Sequence, residues 1–179
     1  MKATGIVRRI DDLGRVVIPK ELRRTMRLRE GAPLEIFTEK DGELIFKKYS
    51  PIGELTDFAA DLCESLRKAS EASVAICDRD SVIAAAGPAR KELLGKPLGA
   101  ALGSILEKRA LFRQDGAETV PPYEGGEKFS VAIAAPILSE GDVVGGVLFL
   151  EQGGAKACGE AEVKLALAAA HFLGRQMEG

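Results

Sequence analysis

Histidine is almost missing from this chain of 179 residues, with His171 the only one. That excludes a multi-histidine metal site and any mechanism needing two imidazoles. Cysteine is scarce too. Cys63, Cys77 and Cys158 are too far apart for a zinc knuckle or a CxxC redox pair, and an odd count argues against a disulfide framework. They read as small apolar packing residues of a reducing compartment. The longest uncharged run, Phe129 to Ser139, has eleven residues, whereas a membrane helix needs about 18. The first residues alternate in polarity, so no signal peptide and no membrane partner are expected, and the chain should be cytoplasmic. There is no P-loop, nucleophile elbow or metal-ligand spacing, so no catalytic residues, metal or cofactor are expected.

What is present is charge, unevenly shared. Residues 1 to 50 hold twelve Lys and Arg against eight Asp and Glu, or +4, within a chain of net charge −2. The remainder is therefore −6. Such asymmetry suggests a basic module that meets nucleic acid, joined to a part with another task.

Turn residues punctuate the first fifty positions. Thr4 to Ile10 and Arg15 to Ile18 read as strands about an Asp11-Asp12-Leu13-Gly14 turn. Pro19 suits the first position of a short helix, Lys20 to Arg27. Leu34 to Thr38 and Glu43 to Lys47 form a hairpin about Asp41-Gly42. A unit of this size, with no disulfide or metal, is marginal alone and should be an intertwined dimer. Tyr49 to Gly53 is a linker. Beyond it, helix 54–70, strands 73–77 and 81–86, helical pieces near 90–94 and 100–112, a hairpin of 129–138 and 142–150, and helix 159–177 read as an α+β domain with an antiparallel sheet and flanking helices.

Wound into a helix, Lys20, Arg23, Arg24 and Arg27 stand at i, i+3, i+4 and i+7, with Leu22, Thr25 and Met26 turned toward a core. Like charges at these spacings repel, and a merely solubilising face would mix signs. Arg8, Arg9 and Arg15 lie on the strands that lead into this helix. Arginine outnumbers lysine seven to two over residues 1 to 29, and its planar fork suits phosphate and the guanine edge. No aromatic platform interleaves these arginines, so double-stranded DNA is favoured over RNA. The candidate DNA-binding residues are Arg8, Arg9, Arg15, Lys20, Arg23, Arg24 and Arg27.

The stretch TGIVRRIDDLGRVVIPKELRRTMRLREG, followed by LEIF and LIFKKY, closely resembles the AbrB-type swapped-hairpin DNA-binding domain of bacterial transition-state regulators. The resemblance covers residues 1–50. It implies a domain-swapped β-barrel dimer of interleaved hairpins, and DNA contacts from Arg8, Arg15, Arg23 and Arg24. As a whole the chain resembles regulators of forespore transcription, activators and repressors that carry a GAF-type domain, here residues 54–179. The cyclic-nucleotide signature of GAF domains is missing.

Two readings stay open for the loop 116–128, with Pro121-Pro122 and Gly125-Gly126: the lid of a small-molecule site of unspecified chemistry, or a plain surface loop. Gly145-Gly146 inside a strand pattern implies a bulge or close packing. In VKLALAAAHFLG, residues 163–174, only Lys164 and His171 are strongly polar. A surface helix normally shows a wider polar face, so this one should be covered by its own sheet and by another chain. With helix 54–70 as its neighbour, it could join two dimers into a tetramer. A purely intramolecular core helix is the alternative. The competing function is a toxin-neutralising antitoxin, since related heads occur in antitoxins, although those end in a disordered tail.

Overall fold

Successive residues of a β-strand point to opposite faces, and in the second half of this chain both sets are apolar. In β3 (Ser73–Asp78), Val74 and Ile76 face one way and Ala75 and Cys77 the other, and all four are buried. Such a sheet needs cover on both sides. The computed structural model describes residues 4–26, 28, 30–50, 52, 55–115, 119–152 and 158–178, and it supplies that cover. The chain divides into two compact units, Met1–Tyr49 and Ser50–Gly179.

In the second unit β3, β4 (Val82–Ala86), β5 (Phe112–Arg113), β6 (Phe129–Ser139) and β7 (Asp142–Gln152) form one antiparallel sheet in the order β4-β3-β7-β6-β5. Helices α2 (Thr56–Ser70) and α5 (Glu160–Gln176) lie on one face, over Val74, Ile76, Ile133, Ile137 and Phe149. Helices α3 (Arg90–Leu93) and α4 (Ala100–Glu107) lie on the other, with Leu93, Leu102 and Leu106 against Phe129, Val131 and Leu148. Phe129, Phe149 and Leu173 are almost completely buried, and each is worth about 1.5–3 kcal/mol of transfer free energy as an upper estimate.

Cys63 and Cys77 are buried on opposite faces, and burial pushes both thiols up to about 12. Cys158, half-buried, is pushed up to about 11 by the same cause and by Glu151 and Glu162. At neutral pH all three remain protonated, so none is a thiolate nucleophile.

Element boundaries follow the sequence expectation closely, with informative exceptions. The helix expected over 100–112 stops at Glu107, and Phe112–Arg113 instead adds an edge strand to β6. Gly145-Gly146 proves to be both close packing and a neighbour of a bulge. A Cβ on Gly145 would lie 2.1 Å from the Cys77 carbonyl oxygen, and the β6–β7 register shifts just beyond, between Ile137 and Leu138. Among the described residues, no helix is long and apolar enough to cross a membrane.

The first unit is built differently. Helix α1 (Lys20–Thr25) is followed by an antiparallel hairpin of β1 (Leu34–Thr38) and β2 (Leu44–Lys48). The hairpin turns at Asp41-Gly42, where Gly42 has φ +79. Pro19 precedes the helix as its N-cap, with ψ 148, rather than opening it. The strands expected at Thr4–Ile10 and Arg15–Ile18 are unpaired in the single chain. A strand is completed by its hydrogen-bonding neighbour, and among the described residues these segments have no strand partner, the Asp11 N–H to Arg15 carbonyl bond at 3.1 Å belonging to the turn. Of the described residues in this unit only Pro19 is buried. Val7 is 88% exposed, Leu13 70% and Val17 71%, and Ile6, Ile10, Val16, Met26, Ile36 and Leu44 are exposed as well.

Close helix–strand approach generates a pair of opposite predictions. A Cβ on Gly174 of α5 would lie 2.2 Å from the Leu138 carbonyl oxygen, whereas one on Gly103 of α4 would meet nothing within 4 Å. Gly174→Ala should destabilise the second unit by about 2 kcal/mol despite alanine's better helix propensity, and Gly103→Ala should stabilise it by about 0.5–1 kcal/mol. Urea unfolding followed by circular dichroism measures both, tryptophan being absent from the chain.

Candidate nucleic-acid interface

The basic residues of the first unit sit on three local structures. Arg8 and Arg9 are exposed on the extended segment before the turn, Arg15 is exposed directly after it, and Lys20, Arg23 and Arg24 stand on α1. Arg27 lies outside the described residues. Among the described residues, none of Lys20, Arg23 and Arg24 has an acidic ion-pair partner, so the one-signed stripe on α1 is real. Its orientation differs in part from the expectation. Arg24 and Lys20 are exposed, but Arg23 is half-buried, and its Nε is covered without a hydrogen-bond partner. Leu22 is half-buried, whereas Thr25 and Met26, expected to face a core, are exposed. A helix of six residues in a unit with so little interior cannot cover a whole face.

The turn before Arg15 is the best-defined polar arrangement in the unit. Gly14 takes φ +75, a left-handed conformation that glycine adopts at little cost. Its N–H donates to the Asp11 carbonyl at 3.0 Å. Asp11 Oδ1 accepts from the backbone N–H of Leu13 at 3.0 Å and of Arg15 at 2.8 Å, and Oδ2 accepts from Arg15 Nε at 2.7 Å. The Arg15 backbone N–H, then its guanidinium, and last the Leu13 N–H, hold the Asp11 carboxyl below its ordinary 3.8, against an effect of desolvation that exceeds the Leu13 contribution. The stabilisation that this turn draws from ionised Asp11 is therefore present above pH 3.8 and lost as pH falls through the lower folded-state value. Sequence reasoning placed Asp11 in the turn but assigned its carboxylate no role. The signal available was its spacing, an aspartate three residues before a turn glycine and four before an arginine.

In the second unit, the described part of the irregular loop packs down on the sheet. Leu98 pairs with Tyr123, the Gly99 N–H donates to the Pro122 carbonyl at 3.1 Å, and Tyr123 joins the apolar cluster of Leu93, Leu102 and Leu106. On the opposite side α2 and α5 lie side by side, with the Phe58 and Phe172 rings 5.7 Å apart. Their outward ridge is apolar: Phe58 is 41% exposed, Leu167 45% and Phe172 46%. His171 is exposed beside it.

Known proteins share both halves. Residues 54–178 match the family described as "Stage V sporulation protein T C-terminal, transcription factor", and residues 7–54 match "Antidote-toxin recognition MazE, bacterial antitoxin". Stage V sporulation protein T of Bacillus subtilis (strain 168) is 48% identical over 179 residues, 99% of each chain. The transition state regulatory protein AbrB of the same organism is 52% identical over 63 residues, 32% of this chain and 65% of that one. The GAF domain of a phosphoenolpyruvate-protein phosphotransferase from Coxiella burnetii has the fold of the second unit, with a TM-score of 0.55 at 17% identity over 69% of this chain and 82% of that one.

These findings define a DNA-binding transcriptional regulator made of an AbrB-type head and a GAF-like second domain. The chain belongs to the stage V sporulation protein T family.

Proposed function

We propose that this sporulation regulator binds duplex DNA through Arg8, Arg9, Arg15, Lys20, Arg23, Arg24 and Arg27 of a swapped-hairpin head dimer, activating some promoters and repressing others from the cytoplasm of the forespore. The observation that carries the reading is the stripe on α1. Lys20, Arg23 and Arg24 share a six-residue helix in which, among the described residues, none of them has an acidic ion-pair partner although Glu21 lies in its first turn, an arrangement that costs folding stability and gains most from a polyanion. A head with one buried residue supports the dimer, because a second copy is the simplest cover for Val7, Val16 and Val17. A transcription factor of this family needs no catalytic chemistry, and the three protonated thiols and lone histidine suit that role.

The second domain, residues 54–179, then serves assembly. Phe58, Leu167 and Phe172 make an apolar ridge on which another chain's α2 and α5 fit, joining two head dimers into a tetramer. Once one head pair is bound, the second meets the same DNA at high effective concentration. An input that repacks these helices alters DNA binding without touching an arginine. The GAF-like fold supports a small-ligand input through the covering loop 119–128. The antitoxin alternative draws on the match of residues 7–54, but residues 55–178 form a folded domain in place of a disordered tail.

DNA affinity should fall steeply with salt. Arg8, Arg15, Arg23 and Arg24 from two protomers neutralise up to about eight phosphates, for a log–log slope near −7 at most. Arg24→Ala should flatten the slope by about 2 per dimer without loss of stability, since Arg24 is exposed. A parent slope flatter than about −2 removes the arginines from the footprint.

Light scattering of the intact protein should give a tetramer. Leu167→Gln with Phe172→Gln should give folded dimers that bind long DNA weakly. A parent dimer, unchanged by the substitutions, leaves the ridge without an assembly role.

A further inference from the structure

A carboxylate at the edge of a phosphate-binding surface repels the ligand, so Asp11 weakens binding unless it contributes something in return. Its geometry indicates what that is. One oxygen fixes the backbone of the turn at Leu13 and Arg15, and the other holds Arg15 Nε at 2.7 Å. Asp12 makes no such contact among the described residues. An arginine held through Nε keeps its Nη1–Nη2 edge for a second, bidentate partner. An unrestrained arginine samples many rotamers, and ordering it on DNA costs conformational entropy. Here the Nε contact to Asp11 is already made in the free chain, on an Arg15 side chain that is 70% exposed.

We propose that Asp11 is a positioning residue for DNA recognition: it aims the Arg15 fork at a base edge and so sets sequence discrimination, while lowering overall affinity by its charge. The proposal rests on the reading of Arg15 as a DNA contact. A phosphate contact tolerates a loosely held cation, because attraction to the backbone depends weakly on angle. A base-edge contact does not, because two hydrogen bonds must form together. Loss of aim therefore appears in the ratio of affinities rather than in affinity for DNA at large.

The test uses the full-length protein at one salt concentration. The probes are a short duplex recovered from a randomised pool by selection on the parent protein, and a scrambled duplex of the same composition. Asp11→Asn keeps an Oδ1 acceptor for the two backbone N–H groups but removes the charge that holds the guanidinium, and Asp12→Asn removes the same charge next door. Circular dichroism and sedimentation of each variant establish that folding and assembly match the parent. The expected result is that Asp11→Asn lowers the selected-to-scrambled affinity ratio by at least about fivefold while binding the scrambled duplex as well as the parent or better. Asp12→Asn should leave the ratio unchanged, and adding Asp11→Asn to Arg15→Ala should lower it no further.

If Asp11→Asn strengthens binding to both duplexes alike, Asp11 is only a competing charge and the proposal fails. If the ratio falls equally in the Arg15→Ala background, Asp11 acts on the turn and not through Arg15, and the proposal fails again. Arg15→Ala alone reports on the underlying reading. If it binds both duplexes as the parent does, the DNA-contact assignment of Arg15 falls and the positioning role with it. Weak binding by Arg15→Ala beside an unchanged ratio in Asp11→Asn removes the positioning role only.

Discussion

The head cannot bury its own apolar residues, and the rest of the account depends on that. Pro19 is the only buried residue among those described before Ser50, while Val7, Ile10, Leu13, Val16 and Val17 stand exposed. Covering each such side chain is worth about 1.5–3 kcal/mol at most. Several together exceed the entropic cost of bringing two chains into contact, which starts near 4 kcal/mol. The segments left without strand partners, Thr4–Ile10 and Arg15–Ile18, are the ones that carry Arg8, Arg9 and Arg15. In the proposed head dimer, assembly and DNA recognition draw on the same two segments. On that proposal, pairing the segments holds the arginines in place, and a head that fails to associate also loses its footprint.

The second unit has the opposite character. Its sheet is covered on both faces, and glycine is required at Gly145, where a side chain would meet the backbone oxygen of the neighbouring strand β3, and at Gly174, where α5 approaches the backbone of β6. Among its described residues, Phe58, Leu167 and Phe172 form an exposed apolar ridge, and Leu94, Leu111 and Leu138 are exposed as well. A sheet covered on both faces with an apolar ridge on its helices suits the proposed joining of heads, which needs no pocket.

Much of this was legible in the sequence, because local signals and final structure agree. Asp41-Gly42 marked the hairpin, the 3.6-residue apolar period marked α2, and the scarcity of polar residues in 163–174 pointed to a helix covered by its own sheet and by another chain, of which the packing on the sheet is observed. The stripe of Lys20, Arg23 and Arg24 followed from spacing alone. What was not legible depends on partners distant in sequence or on another chain. Thr4–Ile10 reads as a strand but has no strand partner among the described residues. The edge strand Phe112–Arg113 exists only because β6 lies beside it. The partial burial of Arg23 and the grip of Asp11 on Arg15 are side-chain outcomes that a helical wheel or a charge count does not resolve.

The central claim is that the head is folded only as a pair. Residues 1–50, studied alone by equilibrium unfolding in urea at several protein concentrations with sedimentation alongside, test it most directly. The account predicts a dimer whose unfolding midpoint rises with concentration, dissociation and unfolding being one event. A folded monomer with a midpoint independent of concentration would contradict it.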